Sequence, residues 1–351
     1  MPSGSSRQPR AYLKIDGVDC IPIEVNVSMT AERNADNFGA TLPLVAPFDE
    51  QYFSDTSPIP IEVIMTNDQT VGEWVQMFTG FCDVPRINFS TRRVILTGRD
   101  KTSLLIETKT SEKWLNKTTT DIVNEIASRV GLTADISLTS PDKVGLTYKD
   151  DYNRISNQDV LFNVLTVLAE REGCAVFVRG DRLIFKPADQ MNGGVITVAY
   201  QAPTKASYAN GTFMNLEVSR NLSVAKNVGV SVKTWSQKQK KSLSTSWRSQ
   251  GASSTKLDYT YSVPNNTKEQ IDKIAKNKLA EITGQERLID LEMPGDVNIT
   301  PENRLNLTGT NTAYDQSYTI SRANHHMSQS GYRLTIAGRG PDKKNTIAQD
   351  S

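Results

Sequence analysis

The side chains most often used for catalysis or metal binding are sparse in this chain and badly placed for either. There are two histidines, His325 and His326. Neighbours on a strand point to opposite faces, so these two cannot hold one metal together. No cysteine or carboxylate stands at ligand spacing beside them, and no nucleophile elbow or Cys-His arrangement surrounds them. Both are expected to be structural. The nearest acidic pair for glycosidase work lies in Lys149-Asp150-Asp151-Tyr152, where an acidic turn before a capped helix is the better explanation. Gly193-Gly194 and Gly338-Arg339-Gly340 lack the strand, glycine-rich loop and helix order of a phosphate cradle and read as turns. Cys20, Cys82 and Cys174 are odd in number and far apart, with no CxxC pair. They give neither a disulfide framework nor a zinc site and are expected to be buried small hydrophobes. The residues therefore predict no catalytic site, no metal and no cofactor.

The elements around these residues are mostly strands. From 21 to 30, Ile21, Ile23, Val25, Val27 and Met29 alternate with polar residues, which predicts a half-buried strand. The same period returns in Ile59, Ile61, Val63 and Met65, from Trp74 to Phe89, and from Arg93 to Gly98. Residues 11–103 thus read as a first tube-like β domain after a flexible tail, 1–10. Thr118 with Asp121 forms a capping box ahead of Ile122, Ile126 and Val130, and Gly131 ends that helix. A second helix is predicted from about Ser156 or Asn157 to Gly173, and a hairpin turning at Arg179-Gly180-Asp181-Arg182 follows. Residues 104–200 read as an α+β middle region, possible as two subdomains. From 201 to 340 strands resume around one helix opened by Thr267 and Gln270, a second tube-like β domain, and 341–351 read as a polar tail.

Two segments more than 200 positions apart read alike. Val84-Pro85-Arg86-Ile87-Asn88 resembles Ile320-Ser321-Arg322-Ala323-Asn324, and the run from Arg93 to Gly98 and Arg99 resembles the run from Arg333 to Gly338 and Arg339. On this match the second hairpin loop is four residues longer, and Phe78-Thr79-Gly80 is echoed by Leu307-Thr308-Gly309. Chance similarity of ordinary hairpins competes with a duplicated domain; if one β unit occurs twice, three chains in a ring present six like units. Residues 233–256 form a basic arm, with Lys238, Lys240, Lys241 and Arg248 among polar residues and Trp235 and Trp247 near the ends. It reads as an exposed hairpin or loop, either simply solvated or docking on a neighbouring subunit through its tryptophans.

Composition narrows the classes. The 351 residues suggest two to four domains, 37% hydrophobic and 23% charged residues describe a globular chain, and a net charge of +1 argues against nucleic acid as the main partner. No apolar run approaches the ~18 residues of a membrane span, and the first ten residues contain no signal-peptide core. The expected fold class is α+β, mainly β, with two related tube-like β-barrel or sandwich domains and a small α+β insert between them.

The order of these features resembles the baseplate hub family of contractile phage tails, including the late control protein D group and the hub-like portion of type VI secretion spike proteins. The likeness runs through the stretch from Ala31 to Leu42, Phe78-Thr79-Gly80-Phe81, Leu96-Thr97-Gly98-Arg99-Asp100, the two middle helices, Met293-Pro294-Gly295-Asp296, Leu307-Thr308-Gly309, Tyr318-Thr319-Ile320, His325-His326 and Gly331-Tyr332. It covers about residues 11–340 and lies in shared order, since none of these motifs is diagnostic alone. The resemblance implies a non-enzymatic homotrimer whose ring connects a hexameric tail tube, or its initiator protein, to a trimeric central spike. Other baseplate proteins would be partners, without a membrane or specific nucleic acid binding beyond DNA passing through the ring. It implies a place in the virion baseplate and assembly in the host bacterial cytoplasm. With 341–351 short, the spike is expected to be a separate polypeptide. The competing readings are a carbohydrate-binding or adhesin module using exposed tryptophans, and a peptidoglycan-cleaving enzyme, which the missing acid pair disfavours.

Overall fold

The computed structural model describes residues 7–112, 114, 117–138, 143–144, 159–187, 190–191, 193–205, 207–236, 241–250, 255–263, 266–342 and 346–349. Alternating burial sets the first strands: β1 (Arg10–Ile15), β2 (Val18–Cys20), β3 (Glu24–Thr30) and β4 (Asn37–Pro43). In β3, Val25, Val27 and Met29 are buried between half-exposed neighbours. Ile21, expected on the same strand face, lies before it and is 77% exposed. A short helix, α1 (Glu50–Asp55), leads to β5 (Pro60–Thr66), β6 (Val75–Asn88) and β7 (Arg93–Asp100).

The middle region packs its own core. It contains α2 (Thr102–Glu107), β8 (Lys109–Thr110), β9 (Lys117–Thr118), α3 (Thr119–Arg129), β10 (Thr133–Ile136), β11 (Lys143–Val144), β12 (Asp159–Val160), α4 (Leu161–Glu172), β13 (Cys174–Arg179) and β14 (Arg182–Pro187). Both side chains of the Thr118 and Asp121 capping box are in place, and Gly173 ends α4 in the left-handed region at φ 71°. The α4 start differs from expectation: Asp159 and Val160 pair with β8 as a strand, so the helix begins at Leu161, while positions 156 and 157 lie outside the described residues. Apolar faces of α3 and α4 meet β13 and β14 through Ile122, Ile126, Leu165, Leu168, Val176 and Phe185.

The second β unit consists of β15 (Val195–Gln201), β16 (Asn210–Gly211), β17 (Asn215–Arg220), and then, after an insertion, β21 (Arg287–Pro294), β22 (Arg304–Thr308), β23 (Ser317–Ser328) and β24 (Gly331–Gly340). The expected boundary at 200 falls within β15, which pairs with β22 and so joins this unit's sheet. The insertion carries β18 (Asn227–Ser236), β19 (Lys241–Gln250), β20 (Lys256–Ser262) and α5 (Lys268–Thr283). Chain-terminal β25 (Thr346–Gln349) pairs with β19, so the expected polar tail supplies a strand. Ile271, Ala275 and Leu279 of α5 cover Val228, Val230 and Val232 of β18, a fourth small core.

The two β units share one pairing order. In the first, the strands lie β2-β1-β5-β6-β7-β4-β3; in the second, β16-β15-β22-β23-β24-β21-β17. Strand for strand these are the same arrangement in the same chain order. One contact differs in sense: β1 and β5 are antiparallel, β15 and β22 parallel.

The hairpins also match in detail. Gly98 faces Cys82 and Phe38, and Gly338 faces Ile320 and Ile289. A β-bulge follows in both, at Asp83 and at Ser321. A Cβ on Gly98 would collide with the Phe81 carbonyl and the Phe38 ring, and one on Gly338 would lie 2.8 Å from Ile289 Cγ2. Gly98→Val is therefore expected to destabilise the first unit by about 1–3 kcal/mol in urea unfolding, through forced displacement of close-packed atoms. Gly39→Ala, on the paired strand with nothing within 4 Å of an added Cβ, is expected to change stability by under about 0.5 kcal/mol.

Candidate assembly site

The units meet along one antiparallel seam, where β3 lies against the second half of β23: Thr30 faces Arg322, Val27 faces His325 and Val25 faces Met327. The bulge at Ser321 marks a change of partner, because β23 pairs with β22 only over 317–319 and with β3 only over 322–327. Across the seam the cores run together, with Met327 and Tyr332 buried among first-unit residues such as Val25 and Val27.

His325 sits at the middle of the seam with no exposed surface. Its Nε2 lies 3.0 Å from the Ile299 carbonyl, so Nε2 carries the hydrogen, and Nδ1 accepts the Tyr332 hydroxyl at 2.7 Å. Burial holds this imidazole neutral, its pKa down at about 4. Sequence reading assigned it a structural part, and its two contacts give that part a chemical form.

Arg179, at the end of β13, reaches into the same junction from the middle region. Its guanidinium contacts Asp36, donates through Nε to Glu302 at 2.8 Å and through Nη2 to the Thr30 carbonyl at 3.3 Å, and lies 5.1 Å from the centre of the Phe177 ring. Asp36 belongs to the loop after β3 and Glu302 to the loop before β22, so one side chain ties all three regions together. Thr30 N–H donates to Asp36 at 2.8 Å, and Asp100 accepts from Thr102 N–H and hydroxyl at 3.1 and 3.0 Å. Burial, and next the nearby Asp36 charge, pushes Asp100 well above the ordinary carboxylate range. Burial also raises Asp36, to about 6, against the pull of Arg179, whereas Arg179 keeps Glu302 below the ordinary carboxylate range in spite of burial.

The loop 31–36 is held from further sides by Glu32 with Arg339 at 2.8 Å and Arg33 with Glu170 at 3.0 Å. A cleft of about 590 Å³ opens beside it, lined by Arg33, Glu170, Glu302 and Arg339 among others. These charged groups are engaged with one another or with Arg179. Among the described residues no group of three His, Cys, Asp or Glu side chains stands together for a metal. Cys174 is buried, Cys20 and Cys82 are half-buried against the first core, and all three are free thiols. Residues 149–152 lie outside the described residues. No helix among the described residues is long and apolar enough to cross a membrane.

Read through the seam, the units form an unbroken antiparallel run, β17-β21-β24-β23-β3-β4-β7-β6. Its two ends are open among the described residues. β17 pairs only with β21, and the part of β6 beyond its bulge pairs only with β7.

The residues singled out from sequence fall on this frame unevenly. Arg93, Gly98 and Arg99 lie on β7 and Arg333, Gly338 and Arg339 on β24 at matching positions. Arg99 forks onto Asp83 at 2.7 and 2.9 Å and Arg333 reaches Glu292 at 3.1 Å. Arg86 and Arg322 are two positions out of register: Arg86 faces Ile95, whereas Arg322 faces Ala337, the counterpart of Thr97. The second hairpin continues through Met327–Tyr332 and Ser328–Gly331 pairs, so on the matched register it is longer by two residues, and the expected four is corrected. Leu307 and Thr308 lie on β22, a different strand position from Phe78 and Thr79 on β6, so that echo is not a structural equivalence.

The basic arm falls on the antiparallel pair β18 and β19. It is the central hairpin of a four-stranded sheet, β20-β18-β19-β25, packed on α5. Trp247 donates its indole N–H to Asp272 at 2.6 Å beneath Lys276, 4.2 Å from the ring centre, and Arg248 binds Asp258 and the Asn227 carbonyl. Trp235 is 55% exposed, Lys241 begins β19, and Lys238 and Lys240 lie outside the described residues. Arg179, Asp36, Asp100 and Glu302 were not anticipated; no local spacing connects positions so far apart.

Comparison with known proteins agrees with this architecture. A tail protein from Neisseria meningitidis MC58 superposes with a TM-score of 0.70 at 13% identity, over 94% of this chain and 96% of its own. The 43 kDa tail protein of prophage MuSo2 from Shewanella oneidensis gives 0.68 at 12% identity, over 95% and 99%. An E. coli component of the type VI secretion system, itself structurally similar to T4 bacteriophage tail proteins gp27 and gp5, gives 0.58 at 9% identity, over 95% and 77%. At such identities these likenesses establish the fold. No curated protein matches the chain by sequence. The family profile described as phage tail baseplate hub (GPD) matches residues 59–331, most of the chain. The chain belongs to the phage tail baseplate hub family.

Proposed function

We propose that three copies of this chain close into a ring of near-sixfold character that joins a hexameric tail tube to a trimeric central spike in a contractile phage tail. The observation that carries the reading is the doubled seven-strand order, with its internal seam. Three chains with two like units each offer six similar surfaces in a closed cyclic assembly, so one face suits a sixfold partner while the assembly itself keeps threefold symmetry. Residues 10–100 and 195–340, the latter without the insertion at 227–283, serve as the tube-like domains, and the middle region, 102–187, braces them through Arg179. The role is mechanical, without turnover. Its setting is the virion baseplate after assembly in the host cytoplasm, with tube or tube-initiator, spike and other baseplate proteins as neighbours.

The test is native mass spectrometry of the full chain at micromolar concentration, alone and mixed with tube and spike proteins, together with electron microscopy. The expected result is a mass of three chains and a threefold ring with an axial hole. A monomer under all of these conditions would overturn the reading.

A further inference from the structure

The insertion is joined to the second β unit at one end and rests on the middle region at another. Its stem is the end of the β17–β21 pair, where Asn221 N–H donates to the Glu286 carbonyl at 2.7 Å and Arg220 binds the Glu286 carboxylate at 2.7 Å. Asp342, on the segment that runs from β24 to β25, lies 2.7 Å from Arg287 and 3.7 Å from Arg220, so the chain crossings into the insertion are tied in one knot. Beyond it, 221–226 and 284–286 are turns and bends rather than helix or strand. Away from this knot the insertion meets the middle region where α5 packs on α4.

Charged and polar side chains make that contact. Lys273 of α5 pairs with Glu172 of α4, which is 6% exposed and accepts from the Thr119 hydroxyl at 3.2 Å. Lys278 lies 3.7 Å from Glu170, and Arg33, from the loop 31–36, lies 3.0 Å from Glu170 and 3.9 Å from Glu281. Asn277 fits against Gly173, where an added Cβ would come within 2.6 Å of its Nδ2, and it donates to the Arg171 carbonyl at 3.4 Å. The apolar faces of the two helices serve different cores: Leu165 and Leu168 of α4 pack in the middle region, Ile271, Ala275 and Leu279 of α5 pack in the insertion, and no apolar side chain of either helix belongs to the other's core. The cleft of about 590 Å³ opens alongside and is lined from both parts, by Gly173 and Ala175 and by Asn277 and Ala280.

We propose that this contact is an ionic latch: closed, it holds the insertion against the middle region, and released, it lets the insertion turn about the Arg220–Arg287–Asp342 knot and widens the cleft. Contacts between parts of one chain that are polar rather than apolar permit relative movement. Closure takes the Glu172 carboxylate out of water, and the hydration it recovers on opening offsets much of the attraction lost, so the two states lie close in free energy. The pairs around Glu170 are partly exposed and contribute little each. Arg33 joins the latch to the seam, because its loop also carries Asp36, which Arg179 holds. The latch lies within one chain and stands independently of the ring.

The test uses the full wild-type chain at low and high salt, since screening shortens the reach of a charge from about 10 Å at 0.1 M to about 3 Å at 1 M. A water-soluble carbodiimide joins a carboxylate to an amine that it touches, and with an added small amine it tags carboxylates that water reaches. Peptide mass spectrometry reads both products. Expected at high salt are a roughly fivefold fall in the Glu170–Lys278 link relative to Asp272–Lys276, a pair 3.0 Å apart within α5, and a matching rise in the tagging of Glu172. Glu286, 1% exposed at the knot, is expected to stay untagged. Lys273→Met is expected to bring the same changes at low salt, and Lys273→Arg to keep the wild-type pattern. A Glu170–Lys278 link that merely follows Asp272–Lys276, with Glu172 untagged, would show that the helices stay together and would overturn the latch, as would Lys273→Met behaving like wild type. Tagging of Glu172 and Glu286 alike would mean general loosening and overturn it equally.

Discussion

Replacing Arg179 by alanine is expected to cost about 3–5 kcal/mol and to lower the main thermal transition by roughly 10 °C, because the change strips the counter-charge from buried carboxyls. Asp36 is 3% exposed, Glu302 is half-buried, and Arg179 is the cation that touches both. The loss is therefore larger than that of an ordinary surface pair, which is worth roughly 0–1 kcal/mol. Arg179→Lys should recover only part of it, since an ammonium cannot fork between Asp36, Glu302 and the Thr30 carbonyl. Arg179→Met combined with Asp36→Asn and Glu302→Gln should cost less than Arg179→Ala alone, because no uncompensated charge is then left inside. Scanning calorimetry on the three variants gives the order, and hydrogen exchange reports whether the loop 31–36 opens first. An Arg179→Ala transition within 2 °C of wild type would show that the junction does not depend on this side chain.

The contrast between this junction and the readable parts of the chain is physical. Helix caps are local, so Thr118 with Asp121, Thr267 with Gln270, and Gly173 announced the ends of α3, α5 and α4 from a few adjacent residues. Alternation is local as well, and β3, β5, β7 and β23 follow from it. Pairing partners are not local. Nothing in residues 346–349 specifies that they complete the sheet of the insertion, and nothing around Asp159 specifies a bridge to β8.

The doubled unit lies between these cases. Its glycines were legible because Gly98 and Gly338 are needed for the same close approach, to Phe38 and to Ile289. The arginine match at 86 and 322 failed because a bulge leaves no sequence mark and one hairpin is longer. Identity of residue type then outweighed identity of place. The basic stretch makes a similar point: an aromatic between lysines can be solvated or can anchor a partner, and Trp247 is occupied by Asp272 and Lys276 from α5 of its own chain, whereas Trp235 is 55% exposed. Only the helix that arrives after it in sequence decides which use it has.

A second large effect is expected from acid, and its sign follows from His325. The ordinary imidazole pKa is about 6.5, and burial brings the folded value down to about 4. Above pH 6.5 the ring is neutral in both states and costs nothing. As pH falls below that, the unfolded chain takes up a proton that the folded seam refuses, so stability declines through the window from 6.5 to about 4 and then levels off. A displacement of this size corresponds to about 3 kcal/mol. Asp36 and Asp100, raised by burial, act in the opposite direction, since their protonation favours the folded chain as pH falls. The wild-type curve alone therefore mixes the two. His325→Gln separates them: glutamine can still reach for the Ile299 carbonyl and the Tyr332 hydroxyl but does not titrate, and the aspartates are common to both proteins. Wild type is expected to exceed the variant in stability at pH 7, and that margin is expected to shrink by about 3 kcal/mol between pH 7 and pH 4 in urea titrations. A margin that stays constant across that range would mean that the ring is solvated and that the seam does not close over it.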